Sequence, residues 1–352
     1  MTAIPLAAWR ILDAAANRAG EGLRVVEEFA RFGLNDSQLS RLLKVCRHDL
    51  TAALGLIPES DRLAARDTLG DVGTTISTPS EYSRPELLDV VRASFKRVQE
   101  ALRTLEEYGK LIPPPPGGPS FAEQVEQIRY RIYTAEKSVL RTVTTSERLS
   151  EHSIYLLLTS ANCASGLEAT VQGALAAGVR LFQVREKQMA DRELLEHARK
   201  LRAWTSDAGA ILIINDRPDI AVLAEADGVH VGQEELTVQD ARRVVGCDKL
   251  IGVSTHTIEQ ARRAVLDGAD YLGVGPTFRS TTKSFDAFAG LDFVRQVAAE
   301  ISLPWFAIGG IDATNVKTVT AAGARRVAIS GAICGSQDPQ QAAANLMNQL
   351  QS

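Results

Sequence analysis

The feature that most restricts this chain is a count. Between residues 153 and 352, eight short runs rich in apolar and β-branched residues alternate with amphipathic stretches. The runs fall at 153–159, 181–186, 211–215, 228–231, 250–254, 271–275, 305–309 and 326–330. Helical periodicity marks intervals such as 191–207, 257–266 and 314–322. Strands that alternate with helices predict βαβ units, because parallel strands need a crossover connection. Gly178, Gly268 and Gly323 each follow a helical stretch and precede a strand, where a left-handed helix cap belongs. Eight such units predict a closed (β/α)8 TIM barrel over residues 153–352. An open doubly wound sheet is the main rival. The strand count disfavours it, and no GxGxxG follows the first strand.

The residues before the barrel read differently. Residues 1–143 carry helical periodicity and predict an all-α helical-bundle domain. The segment TTSERLSEH, 144–152, is polar and without apolar periodicity, and predicts a linker. Prolines 113–116, followed by Gly117 and Gly118, end a helix, and helical text resumes at Phe121. The helical part repeats itself. RAGEGLRVVEEF and RVQEALRTLEEY align Arg18 with Arg97, Glu21 with Glu100, Leu23 with Leu102 and Arg24 with Arg103, then Glu27 with Glu106, Glu28 with Glu107 and Phe29 with Tyr108. The members of each pair are 79 positions apart (24 to 103). Two helical hairpins packed as a bundle are the expectation. Gly20 and Gly22 each cost a helix roughly 1 kcal/mol relative to Ala, which points to close approach by a ligand or another backbone.

Composition removes several function classes. Hydrophobic residues at 45% and charged residues at 23% exclude wholesale disorder. A net charge of −4 disfavours a nucleic-acid partner. No apolar run is long enough to cross a bilayer and no secretory leader is visible, so no membrane partner is expected. Cys46, Cys163, Cys247 and Cys334 form no CxxC pair, which argues for thiols in a reducing cytoplasm rather than a disulfide framework or a zinc knuckle. Composition does not choose between a monomer and a homo-oligomer.

Chemistry in a βα barrel collects at the C-terminal ends of the strands. The second strand ends in QVREK, and alternation puts Gln183, Arg185 and Lys187 on one face, Val184 and Glu186 on the other. The third ends in Asn215-Asp216, the fourth runs into Glu235, and the fifth ends at Ser254. A polar loop after the sixth holds Ser280, Thr281, Thr282 and Lys283; Gly310 follows the seventh and Ser330 ends the eighth. Cations Arg185, Lys187 and Lys283 at one mouth with carboxylates Asp216 and Glu235 suggest a polyphosphate bridged by Mg2+, an ion that takes one or two carboxylates and completes its shell with phosphate and water. The glycine-rich turns after strands seven and eight suggest a second phosphate site. Taken singly, each has an ordinary structural explanation: a turn glycine or a helix N-cap.

In order, the strings QVREK, IIND, GVHVGQEEL, GVSTHT, GVGPTFRSTTK, AIGGI and VAISGAI resemble those of the thiamine-phosphate synthase family, across essentially all of 153–352. The resemblance implies an enzyme that joins a pyrimidine diphosphate to a thiazole phosphate and releases pyrophosphate. It implies that Gln183, Arg185, Glu186 and Lys187, with Asn215 and Ser254, hold the pyrimidine diphosphate, that Lys283 contacts the diphosphate, and that Asp216 and Glu235 hold Mg2+. Ser280, Thr281, Thr282, Gly310, Ile329 and Ser330 would hold the thiazole phosphate. Arg185, Lys187, Lys283 and Ser254 are the expected catalytic set. Glu235 stands where the family usually has Asp, and Ser280 where Thr is usual. A related thiazole tautomerase barrel, paired with a non-catalytic helical dimerisation domain, is the alternative. It need not bind pyrimidine diphosphate, so the full cation and carboxylate set counts against it. A silent scaffold barrel would not need Lys187 and Lys283 together.

The helical part, through DAAANRAGEGLRVVEEFARF and LKVCRHDL, resembles the alternative hydroxymethylpyrimidine-phosphate kinase family. That implies ATP and the pyrimidine monophosphate as substrates. Asn17, Arg18, Glu21, Arg24, Lys44, Arg47 and His48 are the candidate phosphate and Mg2+ site, with the polar loop at 66–74 as a further contributor. No GxxxxGK[ST] loop or protein-kinase signature is present.

Overall fold

The computed structural model describes residues 4–76, 83–278 and 289–351. The chain divides into two compact units, Met1–Leu140 and Arg141–Ser352. Among the described residues no helix is long and apolar enough to cross a membrane.

The first unit is helical: α1 (Leu6–Glu28), continued by a π-helical turn at Phe29–Gly33, then α2 (Ser37–Leu54), α3 (Glu59–Ala65), α4 (Leu87–Gly109) and α5 (Phe121–Arg148), whose residues from Arg141 on belong to the second unit. Asp36 starts α2 by accepting the Leu39 N–H at 2.7 Å, as an N-cap should. Helix α1 packs along α4, and the repeat explains how. Leu12, Ala15, Ala16, Ala19, Leu23 and Val26 are buried, and so are their counterparts Val91, Ser94, Phe95, Val98, Leu102 and Leu105. The duplication extends to an ion pair. Glu27 receives Arg47 of α2 at 2.7 Å, and the equivalent Glu106 receives Arg129 of α5 at 2.7 Å.

The two glycines of α1 part company here. A Cβ on Gly22 would lie 2.7 Å from Val98 Cγ2 and 3.3 Å from the Ser94 carbonyl, so the close approach at Gly22 is by α4 and not by a ligand. Gly20 faces open space, with nothing within 4 Å of a would-be Cβ.

The segment expected as a linker at 144–152 needs correction, because α5 continues through it as far as Arg148. Val139, Thr142, Thr145 and Leu149 are buried at helical spacing. Two threonines occupy positions of the apolar stripe, so the stripe does not show in the hydrophobic pattern.

The second unit is a closed barrel of eight parallel strands in sequence order. They are β1 (Ile154–Leu158), β2 (Leu181–Val184), β3 (Ile211–Asn215), β4 (Gly228–Val231), β5 (Leu250–Thr255), β6 (Tyr271–Val274), β7 (Trp305–Ile308) and β8 (Val327–Ile329). The sheet closes where Ile154 of β1 pairs with Val327 of β8. Nine helices among the described residues follow the strands: α6 (Leu167–Ala176), α7 (Asp191–Ser206), α8 (Pro218–Leu223), α9 (Val238–Val245), α10 (Ile258–Asp267), α11 (Gly290–Glu300), α12 (Val316–Ala321), α13 (Gly331–Cys334) and α14 (Pro339–Gln351). Gly178, Gly268 and Gly323 take φ of 100°, 97° and 102°, the left-handed caps expected of them. Leu157, Leu181, Ile213, Leu250, Phe306 and Ala328, with Tyr155 and Tyr271, fill the interior. Because side chains alternate along a strand, these residues identify which positions face inward at the strand ends.

Candidate active site

Gln183 is two residues beyond Leu181, Asn215 two beyond Ile213, and Ser330 two beyond Ala328; Ser254 is four beyond Leu250. Each therefore continues an inward-facing series past the apolar interior toward the C-terminal mouth. Strand β2 stops at Val184, earlier than the sequence suggested, so alternation alone does not orient Lys187. The Arg185 N–H still donates to the Leu158 carbonyl at 2.8 Å, and Thr159 Oγ1 donates to the Arg185 carbonyl at 2.9 Å. Lys187 lies beyond this, with its Nζ 3.7 Å from Asp216 Oδ2.

Asp216 is one residue past the inward Asn215 and would face outward if the strand ran on. Its φ of 62° turns the chain instead. A left-handed conformation costs most residues about 1–2 kcal/mol, less for Asp. The turn sets the Asp216 carboxylate beside Asn215, whose Nδ2 donates to Oδ2. Burial, then the neighbouring Glu235 carboxylate, hold the Asp216 carboxyl above its ordinary range, and Lys187 and Arg185 oppose them. Glu235 is exposed, and its carboxylate folds back over Gly232, where any side chain would collide with it. The ends of β2, β3 and β4 thus bring Arg185, Lys187, Asn215, Asp216 and Glu235 into one electrostatic neighbourhood.

Other expected site residues sit less simply. Glu186 points away from this group. Its carboxylate accepts the Ser160 N–H and hydroxyl, each at 2.6 Å, and faces His197. Ile329 is buried and one residue off the inward series, so only its main chain can meet a ligand. Gly310 has φ of 63°, and its carbonyl accepts from Asn315 at 2.8 Å. Ser280, Thr281, Thr282 and Lys283 lie outside the described residues.

Beneath the mouth runs a polar relay that sequence reasoning missed. Gln183 Nε2 donates to the Tyr155 hydroxyl at 2.6 Å, which meets the Tyr271 hydroxyl at 2.8 Å. Tyr271 meets His230 Nδ1 at 3.2 Å, and His230 Nε2 meets Ser254 Oγ at 2.9 Å. Burial, with Arg185 nearby, lowers the His230 pKa to about 3 and keeps the ring neutral. The signal was available: polar residues at 155, 230 and 271 occur inside runs otherwise apolar, in phase with Gln183 and Ser254.

In the helical unit, Asn17, Arg18, Glu21 and Arg24 are exposed on α1, and Lys44 and His48 are exposed on α2. Arg47 is engaged with Glu27. Arg10, Asp13, Asn17, Gly20, Glu21 and Arg24 form one stripe at helical spacing. The loop after α3 is pinned onto that stripe, because Arg66 makes a two-pronged contact with buried Asp13 at 2.7 and 2.8 Å. Asp71 closes a turn in the same loop by accepting the Gly73 N–H at 2.9 Å.

Residues 154–333 match the family described as thiamine monophosphate synthase, and residues 10–138 match the ThiD2 family. The chain belongs to the thiamine monophosphate synthase family. Its relatives include the thiamine-phosphate synthase of Rhodopirellula baltica, 45% identical over 97% of this chain and 92% of that one. The thiamine-phosphate synthase of Nostoc sp. is 42% identical over 97% of this chain and 94% of its own length. Both relatives span the helical unit as well as the barrel. Among solved structures, the thiamine phosphate pyrophosphorylase of Pyrococcus furiosus superposes with a TM-score of 0.52 at 29% identity, covering 60% of this chain and 98% of its own. The synthase match covers the strand-end cluster of the barrel, and the ThiD2 match covers the α1 stripe.

Proposed function

We propose that the barrel joins 4-amino-2-methyl-5-(diphosphooxymethyl)pyrimidine to a thiazole phosphate, giving thiamine phosphate and pyrophosphate, and that the helical unit makes the diphosphate from the pyrimidine monophosphate and ATP. The observation that carries the barrel reading is the gathering of Arg185 and Lys187 with Asp216 and Glu235 at adjacent strand ends, above Gln183 and Ser254. Departure of the diphosphate is the demanding step, because negative charge builds on the leaving oxygens. Arg185 and Lys187, joined by Lys283, stabilise that charge. Gln183, Asn215 and Ser254 hold the pyrimidine ring, and Ser280, Thr281, Thr282, Gly310, Ser330 and the main chain of Ile329 hold the thiazole phosphate. The thiazole nitrogen attacks the electron-poor methylene carbon as the diphosphate leaves, so no protein nucleophile is needed.

The donor set fits Mg2+. A carboxylate whose proton affinity is raised by burial and by a neighbouring carboxylate, as that of Asp216 is beside Glu235, is relieved by a divalent cation. Among the described residues no cluster of three or more His, Cys, Asp or Glu side chains is found; an Mg2+ held by Asp216 and Glu235 would take its other ligands from phosphate and water. Bound there, Mg2+ would neutralise diphosphate oxygens. In the helical unit, the α1 stripe supplies a cation, Arg24, and a carboxylate, Glu21, beside the backbone left open at Gly20, which is the combination phosphoryl transfer requires. A cytoplasmic location accords with four free thiols.

One reaction mixture tests both halves: pyrimidine monophosphate, ATP, Mg2+ and thiazole phosphate should yield thiamine phosphate. Supplying the diphosphate directly isolates the barrel. Lys187→Ala should keep its circular dichroism spectrum and lose coupling by about 10²–10³. A folded Lys187→Ala with near-wild-type coupling refutes the diphosphate assignment.

A further inference from the structure

We propose that Tyr155, Tyr271 and His230 are positioning residues that set the hydrogen-bond polarity of Gln183 and Ser254 together, so that the mouth accepts a heteroaromatic edge carrying one donor beside one acceptor. The inference rests on the coupling reaction proposed above, and it concerns groups that lie below the charged cluster and touch no phosphate.

The argument is a count of protons. The chain of contacts has four links: Gln183 to Tyr155, Tyr155 to Tyr271, Tyr271 to His230, and His230 to Ser254. Each link requires one hydrogen. The two phenols and a neutral imidazole supply one each, three in all. The fourth must come from one end. Where Gln183 donates inward through Nε2, it turns its carbonyl oxygen toward the mouth. His230 then donates to Ser254 Oγ, and the Ser254 hydroxyl is left to donate outward. Were the relay reversed, Gln183 would present its amino group and Ser254 its lone pairs. In either state one end presents an acceptor where the other can present a donor. The edge of a 4-aminopyrimidine, an exocyclic N–H beside a ring nitrogen, has that pattern.

The barrel makes room for the relay at some expense to its own packing. A Cβ on Gly252 of β5 would collide with the Tyr271 ring and lie 2.5 Å from His230 Nδ1. One on Gly273 of β6 would lie 3.3 Å from His230 Cε1. The phenol rings are held by edge-on stacking, with centroids 5.7 Å apart at 82°, and Phe306 packs against both at 5.2 and 5.8 Å. Tyr155, Tyr271 and His230 are all buried, so water does not replace a missing link, and the polarity passes from one end to the other.

The test is a double-mutant cycle on the full chain. Tyr271→Phe removes one hydroxyl and keeps the ring. The variant should raise KM for the pyrimidine diphosphate by about tenfold, the scale of one lost buried hydrogen bond. KM for thiazole phosphate should stay within about twofold, since that substrate meets other residues; a general loosening of the barrel would raise both. Ser254→Ala should also raise the pyrimidine KM. The double variant should be no worse than the worse single, because Tyr271 acts through Ser254 and Gln183. Tyr155→Phe should give the same pattern from the other end, and it decides the matter if Tyr271→Phe does not fold. A wild-type chain that couples, with both Phe variants retaining wild-type KM or multiplying with Ser254→Ala, overturns the inference and leaves the coupling reading intact. A wild-type chain that forms no thiamine phosphate from the two phosphorylated substrates removes both.

Discussion

Gly20 and Gly22 lie two residues apart on α1 and should respond oppositely to the same substitution. Replacing Gly by Ala inside a helix gains about 1 kcal/mol from backbone entropy. At Gly20 nothing lies within 4 Å of the new methyl, so the whole gain should appear. At Gly22 the methyl would lie 2.7 Å from Val98 Cγ2 and 3.3 Å from the Ser94 carbonyl. Valine has no long flexible arm to swing aside, and the carbonyl belongs to the backbone of α4, so the two helices must separate. Overpacking of that kind costs about 1–3 kcal/mol. The entropy gain is common to both variants and cancels in their difference, which isolates the packing cost. For a unit of this size that difference corresponds to roughly 3–9 °C in melting temperature. Calorimetry of the full chain should show Gly20→Ala melting above wild type, and Gly22→Ala at or below it. A Gly22→Ala chain as stable as Gly20→Ala would refute the close α1–α4 approach. The same Gly20→Ala protein probes function. If a ligand approaches the backbone there, ATP-dependent phosphorylation of the pyrimidine monophosphate should fall while stability rises.

Further outcomes follow from the titratable side chains and ion pairs. The folded chain holds the Asp216 proton at pH values where the unfolded chain has lost it, so stability falls as pH rises through the window above the usual carboxylate range. Asp216→Asn should therefore melt higher than wild type in metal-free neutral buffer, and Mg2+ should raise the wild-type melting temperature more than the variant's; equal Mg2+ responses would remove Asp216 from the metal site. Arg129→Met strands Glu106 in the helical core, where the pair's side chains are 8% and 6% exposed, and should cost about 3 kcal/mol, the low end for a buried pair because Arg103 also reaches Glu106. Arg47→Met, at the equivalent but more exposed pair, should cost about 1 kcal/mol or less by urea unfolding.

Much of the candidate site was legible because barrel chemistry is confined to strand ends. Once eight strands are counted, Gln183, Arg185, Asn215, Asp216 and Ser254 are read off their C-terminal residues. Glu186 belongs to the same motif, but alternation puts it on the face opposite Gln183 and Arg185, and a motif alone does not record which way a residue points. The Ser160 and His197 contacts that occupy it come from elements distant in sequence. The threonines of α5 hid a helix inside an expected linker, since burial of Thr142 and Thr145 leaves no apolar signature.

The strand and helix periods, the left-handed glycine caps and the 79-residue repeat are local properties of the chain, and the sequence alone determined the barrel, the helical bundle and its duplication from them. What only the tertiary structure decided depends on through-space neighbours. Gly22 meets Val98, while Gly20 meets nothing. The Asp216 carboxylate turns back toward Lys187 because one backbone dihedral is left-handed. Tyr155, His230 and Tyr271 stand on three different strands, separated by 41 to 116 residues of chain, and become one relay only when the sheet closes. Hydrogen bonding acts over about 3 Å of space whatever the distance along the chain, so a pattern read in sequence order cannot contain it.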